Sequence, residues 1–204
     1  MSEQPWPAEE REPEFLAGPG LAQRAYEFAR EAHEGQERKG DGSPYINHPA
    51  ELARLLHAAG HDDEEILAAT FLHDVVEDTD TTLEEIEEAF GAEVHQLVEA
   101  MTEDQDIEPY ERRKEHHRDQ VEAGGERVIL IYAADKVANL RDLRTLYSNI
   151  GEGAASRFNA PLDVRVRLWE GDAEMIEREH PGHELAEQLR SELAAFKAQR
   201  ESTA

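Results

Sequence analysis

The segment Val128-Ile129-Leu130-Ile131-Tyr132 constrains the fold more than any other stretch of the chain. Its β-branched, aliphatic and aromatic residues suit a strand by propensity. A strand needs a partner, however, and no second β-rich segment exists in the 204 residues to pair with it. The run is therefore read as the buried part of a helix continuing through "AADKVANLRDLRTLY", and the chain as all-α. Elsewhere the pattern is helical too. Leu21, Ala25, Phe28, Ala29 and Ala32 recur at helical spacing in a first helix that reaches about Gln36. Further helices are predicted over about 48–59, 63–76, 92–101 and 110–123. "TTLEEIEEAFG" opens with Thr82 and Glu85 in capping-box spacing and closes at Gly91. "PLDVRVRLWEGDAEMIERE" and "HELAEQLRSELAAFKAQR" are two final amphipathic helices. "GQERKGDGSPY", "TEDQDIEP" and "SNIGEGAAS" are loops by their Gly, Pro and polar content. The expectation is one helical-bundle domain of about eight to ten helices over residues 21–199. A Pro-, Glu- and Gly-rich arm, residues 1–20, precedes it, disordered or loosely docked, and a tail, 200–204, follows.

Charge narrows the function. A formal net charge of −26 repels phosphate backbones, so nucleic acid is not an expected partner. A small anionic substrate needs a cationic patch or a metal to reverse the field locally. Without cysteine, neither a disulfide framework nor a thiolate metal site can form. The N-terminus "MSEQPWPAEEREPEF" has no basic or apolar signal region, and no apolar run approaches the ~18 residues of a membrane span. A soluble cytoplasmic protein is expected, with no membrane partner and with exposed helices that could form a homodimer.

Candidate chemistry concentrates in "AATFLHDVVEDTDTT". An apolar helix turns there into His73, Asp74, Glu77 and Asp78. A neutral imidazole beside a carboxylate suits magnesium or a divalent first-row metal. Helix neighbours point about 100° apart, so other elements must complete the shell. With 10 histidines and 47 acidic residues, His-Asp pairs also arise by chance. Three contexts add weight. His73 follows "ATFL", where a buried charge is costly unless paired or metal-bound. "SPYINHP" places His48 at a helix start after a Gly-rich loop. "YAADKVANL" places Asp135 and Asn139 four residues apart on one face of an apolar segment. Plainer readings stand beside these: an ion pair of Asp135 with Lys136 or an arginine, a local backbone bond for His48, and a solvated acidic helix end for "EDTD". Glu77 lies one turn beyond His73, and Asp78 one turn beyond Asp74. His57/His61, His116/His117 and His180/His183 are poor metal pairs. Gly60 interrupts the first, a polar helix carries the second, and Pro-Gly lies within the third.

"HEGQERKGDGSPYINHP", "AATFLHDVVEDTDTTLEEIEEAFGAEVHQLVEAMT" and "ADKVANLRDL" together resemble the hydrolase domain of the RelA/SpoT enzymes and its stand-alone form, the small alarmone hydrolases. These belong to the HD superfamily of metal-dependent phosphohydrolases. The resemblance spans about Leu21 to Leu143 and holds in order, spacing and wording. It implies metal ligands at His48, His73, Asp74 and Asp135, with Mn²⁺ the expected metal and another divalent ion the substitute. It implies that Glu77 and Asp78 promote attack by water. Arg38 and Lys39 match a pair that meets the guanine base and nearby phosphates, Asn139 matches a nucleotide-contacting asparagine, and Lys114 lies on a helix resembling one whose cations face phosphates. The implied reaction is hydrolysis of the 3′-diphosphate of (p)ppGpp, the alarmone of the stringent response, to GDP or GTP and pyrophosphate. At this length the chain is expected only to degrade alarmone.

The sequence also departs from the family. Tyr132 stands where a lysine is common, three residues before the last metal-binding Asp. Beyond Leu143 the match is poor; Arg165, Arg167 and Trp169 are the candidates there to help enclose a nucleotide. Two alternatives remain: an HD phosphohydrolase for another nucleotide, and a nucleotide-binding sensor without turnover.

Overall fold

The computed structural model describes residues 9–16, 18–38, 41–157 and 160–203. They form ten α-helices and one 3-10 helix; among them there is no strand, only a backbone bridge between Glu37 and Pro44. The chain divides into two compact units, Met1–Glu99 and Ala100–Ala204.

The first unit carries α1 (Leu21–Ala32), α2 (Asn47–Ala58), α3 (Glu64–Leu72), α4 (Val75–Asp78), α5 (Leu83–Phe90) and the start of α6 (Ala92–Met101). Its hub is α3, where every residue from Ile66 to Leu72 is buried. Asp63 caps this helix by accepting from the Glu65 and Ile66 amides, both at 3.0 Å. α1 and α2 pack on it. α1 turns Ala22, Ala25, Tyr26 and Ala29 inward, and its small residues allow close approach. Tyr26 meets Phe71 edge-on at 5.4 Å. Burial of a side chain such as Phe71 or Leu72 contributes about 1.5–3 kcal/mol. At the start of α1, the Ala22 amide donates to Glu64 Oε2 at 2.9 Å. Gly20 leaves room for that contact, since a Cβ there would sit 2.8 Å from the same oxygen and displace the carboxylate. α5 shows the expected capping box between Thr82 and Glu85.

One feature of this unit differs from expectation. The helix predicted over 63–76 stops at Leu72 and resumes as the four-residue α4. Residues 9–16 of the arm are held to α2. Asn47 accepts from the Arg11 amide at 2.9 Å and donates to the Glu9 carbonyl at 3.2 Å. Arg54 donates to the Arg11 carbonyl at 2.6 Å, and Phe15 stacks on His57 at 4.3 Å. The arm's residues 1–8 and 17 lie outside the described residues.

The second unit contains α7 (Tyr110–Gly124), α8 (Glu126–Ile150), a 3-10 helix (Gly151–Arg157), α9 (Leu162–Glu179) and α10 (Glu184–Thr203). α8 contains the Val128–Tyr132 run, and all its residues from Val128 to Ala138 are buried. A helix apolar all round must be surrounded, and α7, α9, α10 and the 3-10 helix all pack against it. α7 also packs on α9, where Arg118 donates to Asp172 Oδ1 at 2.7 Å and to the Leu168 carbonyl at 2.8 Å. Gly171 makes room for that guanidinium; a Cβ there would lie 2.9 Å from it. The predicted loop "SNIGEGAAS" is instead the last turn of α8 and the 3-10 helix. Gly151, at φ 57°, ends α8, and buried Ala154 anchors the short helix that follows.

Candidate active site

The site begins where α3 ends. Thr70 Oγ1 bonds back to the Ile66 carbonyl at 2.7 Å, and His73 Nδ1 donates to the Thr70 carbonyl at 2.9 Å. The helix then breaks at Asp74, with φ −113° and ψ 0°. In an unbroken helix the two neighbouring side chains would diverge by about 100°. Here Asp74 Oδ1 lies 2.6 Å from His73 Nδ1. His48, the second residue of α2, brings its ring to 5.4 Å from that of His73. One ligand atom from each of His48, His73 and Asp74 falls within 4.8 Å of the others.

These residues suit a divalent cation. Because His73 Nδ1–H donates to a carbonyl, the neutral ring keeps its lone pair on Nε2, the form that ligates. Asp74 Oδ2 accepts from the Tyr45 hydroxyl, whereas Oδ1 is buried and accepts no hydrogen bond. Burial raises the Asp74 carboxyl, but the His73 and His48 imidazoles and the Tyr45 hydroxyl hold it below its ordinary value. Two imidazoles and an ionised carboxylate match a first-row divalent metal or magnesium. No other such trio gathers among the described residues.

Glu77 and Asp78 follow on α4, Glu77 half-buried and Asp78 exposed. Both amides bond the Asp74 carbonyl, at 3.1 and 2.9 Å, so the carboxylate pair hangs from a residue of the trio. Arg38 starts a tight loop: its amide donates to the Ser43 carbonyl at 2.8 Å, and Nη1 lies 3.6 Å from Glu51 Oε2. Lys39 lies outside the described residues.

Asp135, Asn139 and Lys114 belong to the second unit. Asp135 is buried on α8; Oδ1 accepts from Asn139 at 2.5 Å and Oδ2 from Lys136 at 2.8 Å. The expected one-turn pairing of Asp135 with Asn139 is present, and so is the plainer ion pair with Lys136. Burial lowers the Lys136 ammonium, yet Asp135 keeps it well above its ordinary value. Lys114 is engaged by Glu103, a buried carboxylate also 3.3 Å from His117 and 3.4 Å from Arg113. Tyr132, in the place of the family's lysine, is fully buried. Its hydroxyl donates to Asp172 at 3.0 Å, and Lys136 Nζ stands 4.1 Å above its ring. Arg165 lies 4.8 Å over Trp169 and donates to the Tyr110 hydroxyl, and Arg167 pairs loosely with Glu111.

Sequence reading missed Tyr45, although it stands in "SPYINHP" three residues before His48. It also missed His33 and Gln36 of "HEGQ", where Gln36 donates to the Asp78 carbonyl at 2.8 Å.

A family model described as an HD domain matches residues 25–157. Mouse guanosine-3′,5′-bis(diphosphate) 3′-pyrophosphohydrolase MESH1 is 47% identical over 121 residues, 58% of this chain and 67% of that one. The Aquifex aeolicus enzyme called guanosine-3′,5′-bis(diphosphate) 3′-pyrophosphohydrolase is 42% identical over 152 residues, 72% of this chain but 22% of that longer protein. A solved structure, described as a metazoan ortholog of SpoT that hydrolyzes ppGpp, superposes with a TM-score of 0.69 at 28% identity, covering 91% of this chain and 98% of that one. Its helices, its metal-type trio and these relatives agree: the chain belongs to the HD-domain family, among the hydrolase domains of the RelA/SpoT type.

Proposed function

We propose that the protein is a Mn²⁺-dependent hydrolase of (p)ppGpp that removes the 3′-diphosphate as pyrophosphate and leaves GDP or GTP. One observation carries this reading: the His48, His73 and Asp74 ligand atoms lie within 4.8 Å, with Glu77 and Asp78 one turn beyond. The names of the relatives supply the substrate. His48, His73 and Asp74 would hold the metal, and Asp135 joins them on the motif alone. When bound, a divalent cation polarises phosphoryl oxygens and lowers the pKa of water. Glu77 or Asp78 accepts a proton from the attacking water. The new oxygen–phosphorus bond forms as the bond from phosphorus to the ribose 3′ oxygen breaks, and the proton passes to that oxygen. Arg38 supplies a plane for the purine, Lys39 and Lys114 supply charge for phosphates, and Asn139 contacts the nucleotide. The domain spans residues 21–199 in this reading, and the acting compartment is the cytoplasm. No helix among the described residues is long and apolar enough to cross a membrane.

The test incubates purified protein with ppGpp and MnCl₂ and separates the products. GDP and pyrophosphate in equal amounts are expected. Asp74→Ala should lose both metal and turnover; Glu77→Ala should keep metal and lose turnover by about 10²- to 10⁴-fold. Intact ppGpp beside protein with confirmed bound metal refutes the reading, and preferential cleavage of another nucleotide reassigns the substrate.

A further inference from the structure

α4 has four residues, too few to sustain itself by its own hydrogen bonds. The chain leaves it at Thr79 in extended conformation, φ −136° and ψ −177°. The direction of the Glu77 and Asp78 side chains therefore depends on what holds this short turn from outside. At its far end the tether is Gln36, whose Nε2 donates to the Asp78 carbonyl at 2.8 Å across 42 residues of chain. A carbonyl can only accept, so the contact sets the amide's orientation and turns Gln36 Oε1 towards His33 Nδ1, 2.9 Å away. That oxygen can only accept as well, so His33 must carry its proton on Nδ1.

His33 follows the last residue of α1 and is 3% exposed. Its ring packs at 4.6 Å against that of Tyr45, the tyrosine whose hydroxyl holds Asp74 Oδ2. One buried imidazole thus touches two chains of contact. One runs through Gln36 to the end of the helix bearing the carboxylate pair. The other runs through Tyr45 to the metal-type carboxylate. Its Nε2 is buried and makes no hydrogen bond, so burial of this ring is not explained by its own satisfaction.

We propose that Gln36 and His33 are positioning residues, which fix the end of α4 and so aim the Glu77 and Asp78 carboxylates at water held beside His48, His73 and Asp74. The proposal rests on the reading of that carboxylate pair as the proton-handling groups. Gln36→Glu isolates the tether. A carboxylate still accepts from His33 but cannot donate to the Asp78 carbonyl. Gln36→Leu removes both bonds. Gln36 is half-buried in a loop, so neither change opens a core cavity.

In the 204-residue chain with MnCl₂ and ppGpp, both Gln36 variants should lower kcat by about 10- to 100-fold, with Mn²⁺ affinity by titration calorimetry and KM unchanged. His33→Ala should lose kcat similarly. His33→Asn, which restores a donor near Nδ1, should recover most of it. Unchanged kcat in both Gln36 variants overturns the proposal. So does a loss that moves in step with Mn²⁺ affinity, the mark of a generally loosened site. A second readout is independent of turnover. Long-range proton–nitrogen NMR should show His33 protonated on Nδ1, and the amides of residues 75–79 should exchange faster in Gln36→Leu than in the parent. A proton on Nε2, or unchanged exchange, overturns the tether even if the parent protein does not cleave ppGpp. Lack of cleavage with the tether intact overturns the proposed activity alone.

Discussion

Tyr45→Phe removes one oxygen atom and leaves the rest of the site standing, so its effect can be worked from the structure. The ring stays between His33, at 4.6 Å, and His48, at 5.9 Å, and no cavity opens. What is lost is the hydroxyl donor to Asp74 Oδ2. The acceptor is ionised and its side chain is only 13% exposed, which places the bond among charge-assisted ones worth about 1.5–3 kcal/mol. Tyr45 itself is half-buried, so water partly replaces the donor, and the expected loss falls to about 1–2 kcal/mol. In a chain of this size that is a fall in Tm of about 2–8 °C, read in EDTA so that metal does not contribute. The hydroxyl also orients the carboxylate whose other oxygen, Oδ1, lies 2.6 Å from His73 Nδ1 within the metal-type trio. Loss of such an outer partner weakens metal binding by about 10- to 100-fold, measurable by Mn²⁺ titration calorimetry. Equal Mn²⁺ affinity in the two proteins refutes the proposal that Asp74 is a metal ligand oriented by Tyr45. A stability loss well above ~3 kcal/mol refutes the packing argument instead, because it means the ring has moved.

Two further outcomes concern the second unit. Burial raises the Glu103 carboxyl, but His117 and the Lys114 ammonium hold it far below its ordinary value of 4.5, so its stabilisation is full above that value and fades as pH falls. Glu103→Gln should therefore cost about 1.5–3 kcal/mol at pH 7 in urea unfolding, with the gap to the parent closing on acidification below about pH 4.5; a constant gap refutes the linkage. Tyr132→Lys, which restores the residue common in the family, places a second ammonium beside Lys136 and replaces the neutral hydroxyl that donates to Asp172. It should destabilise by about 3–5 kcal/mol, read from the urea midpoint, and a neutral outcome would show that Lys136 relocates.

What could be read from the chain in advance follows from how local each cause is. α8 was legible because "VILIY" lacks a strand partner anywhere in the sequence, and helical burial on every side is the remaining solution. The residues of the metal-type trio stood out because they interrupt Gly-rich or apolar context at two places, His48 and His73–Asp74. The break at His73–Asp74 was not legible. Periodicity reveals a break as a shift in the phase of an apolar stripe, and Ile66–Leu72 is buried on all faces, so it has no stripe to shift. Yet that break is what turns two adjacent side chains from divergent to convergent. Lys114 was read by its charge alone; its pairing with a buried carboxylate eleven residues earlier depends on Glu103 turning inward, which no spacing shows. The same limit hid Tyr45 and Gln36. Their partners are 29 and 42 residues away, on the far side of α2 and α3 in sequence. Ligand residues announce themselves by type, because few side chains can do their chemistry. The groups that aim them are ordinary tyrosines, glutamines and histidines, identifiable only by where the fold brings their polar atoms. A variant series built on the motif alone would thus stop at His48, His73, Asp74, Glu77 and Asp78. The geometry extends it to Tyr45, Gln36 and His33, where kcat and metal affinity should separate: Tyr45 acts on the ligand, Gln36 on the carboxylate pair.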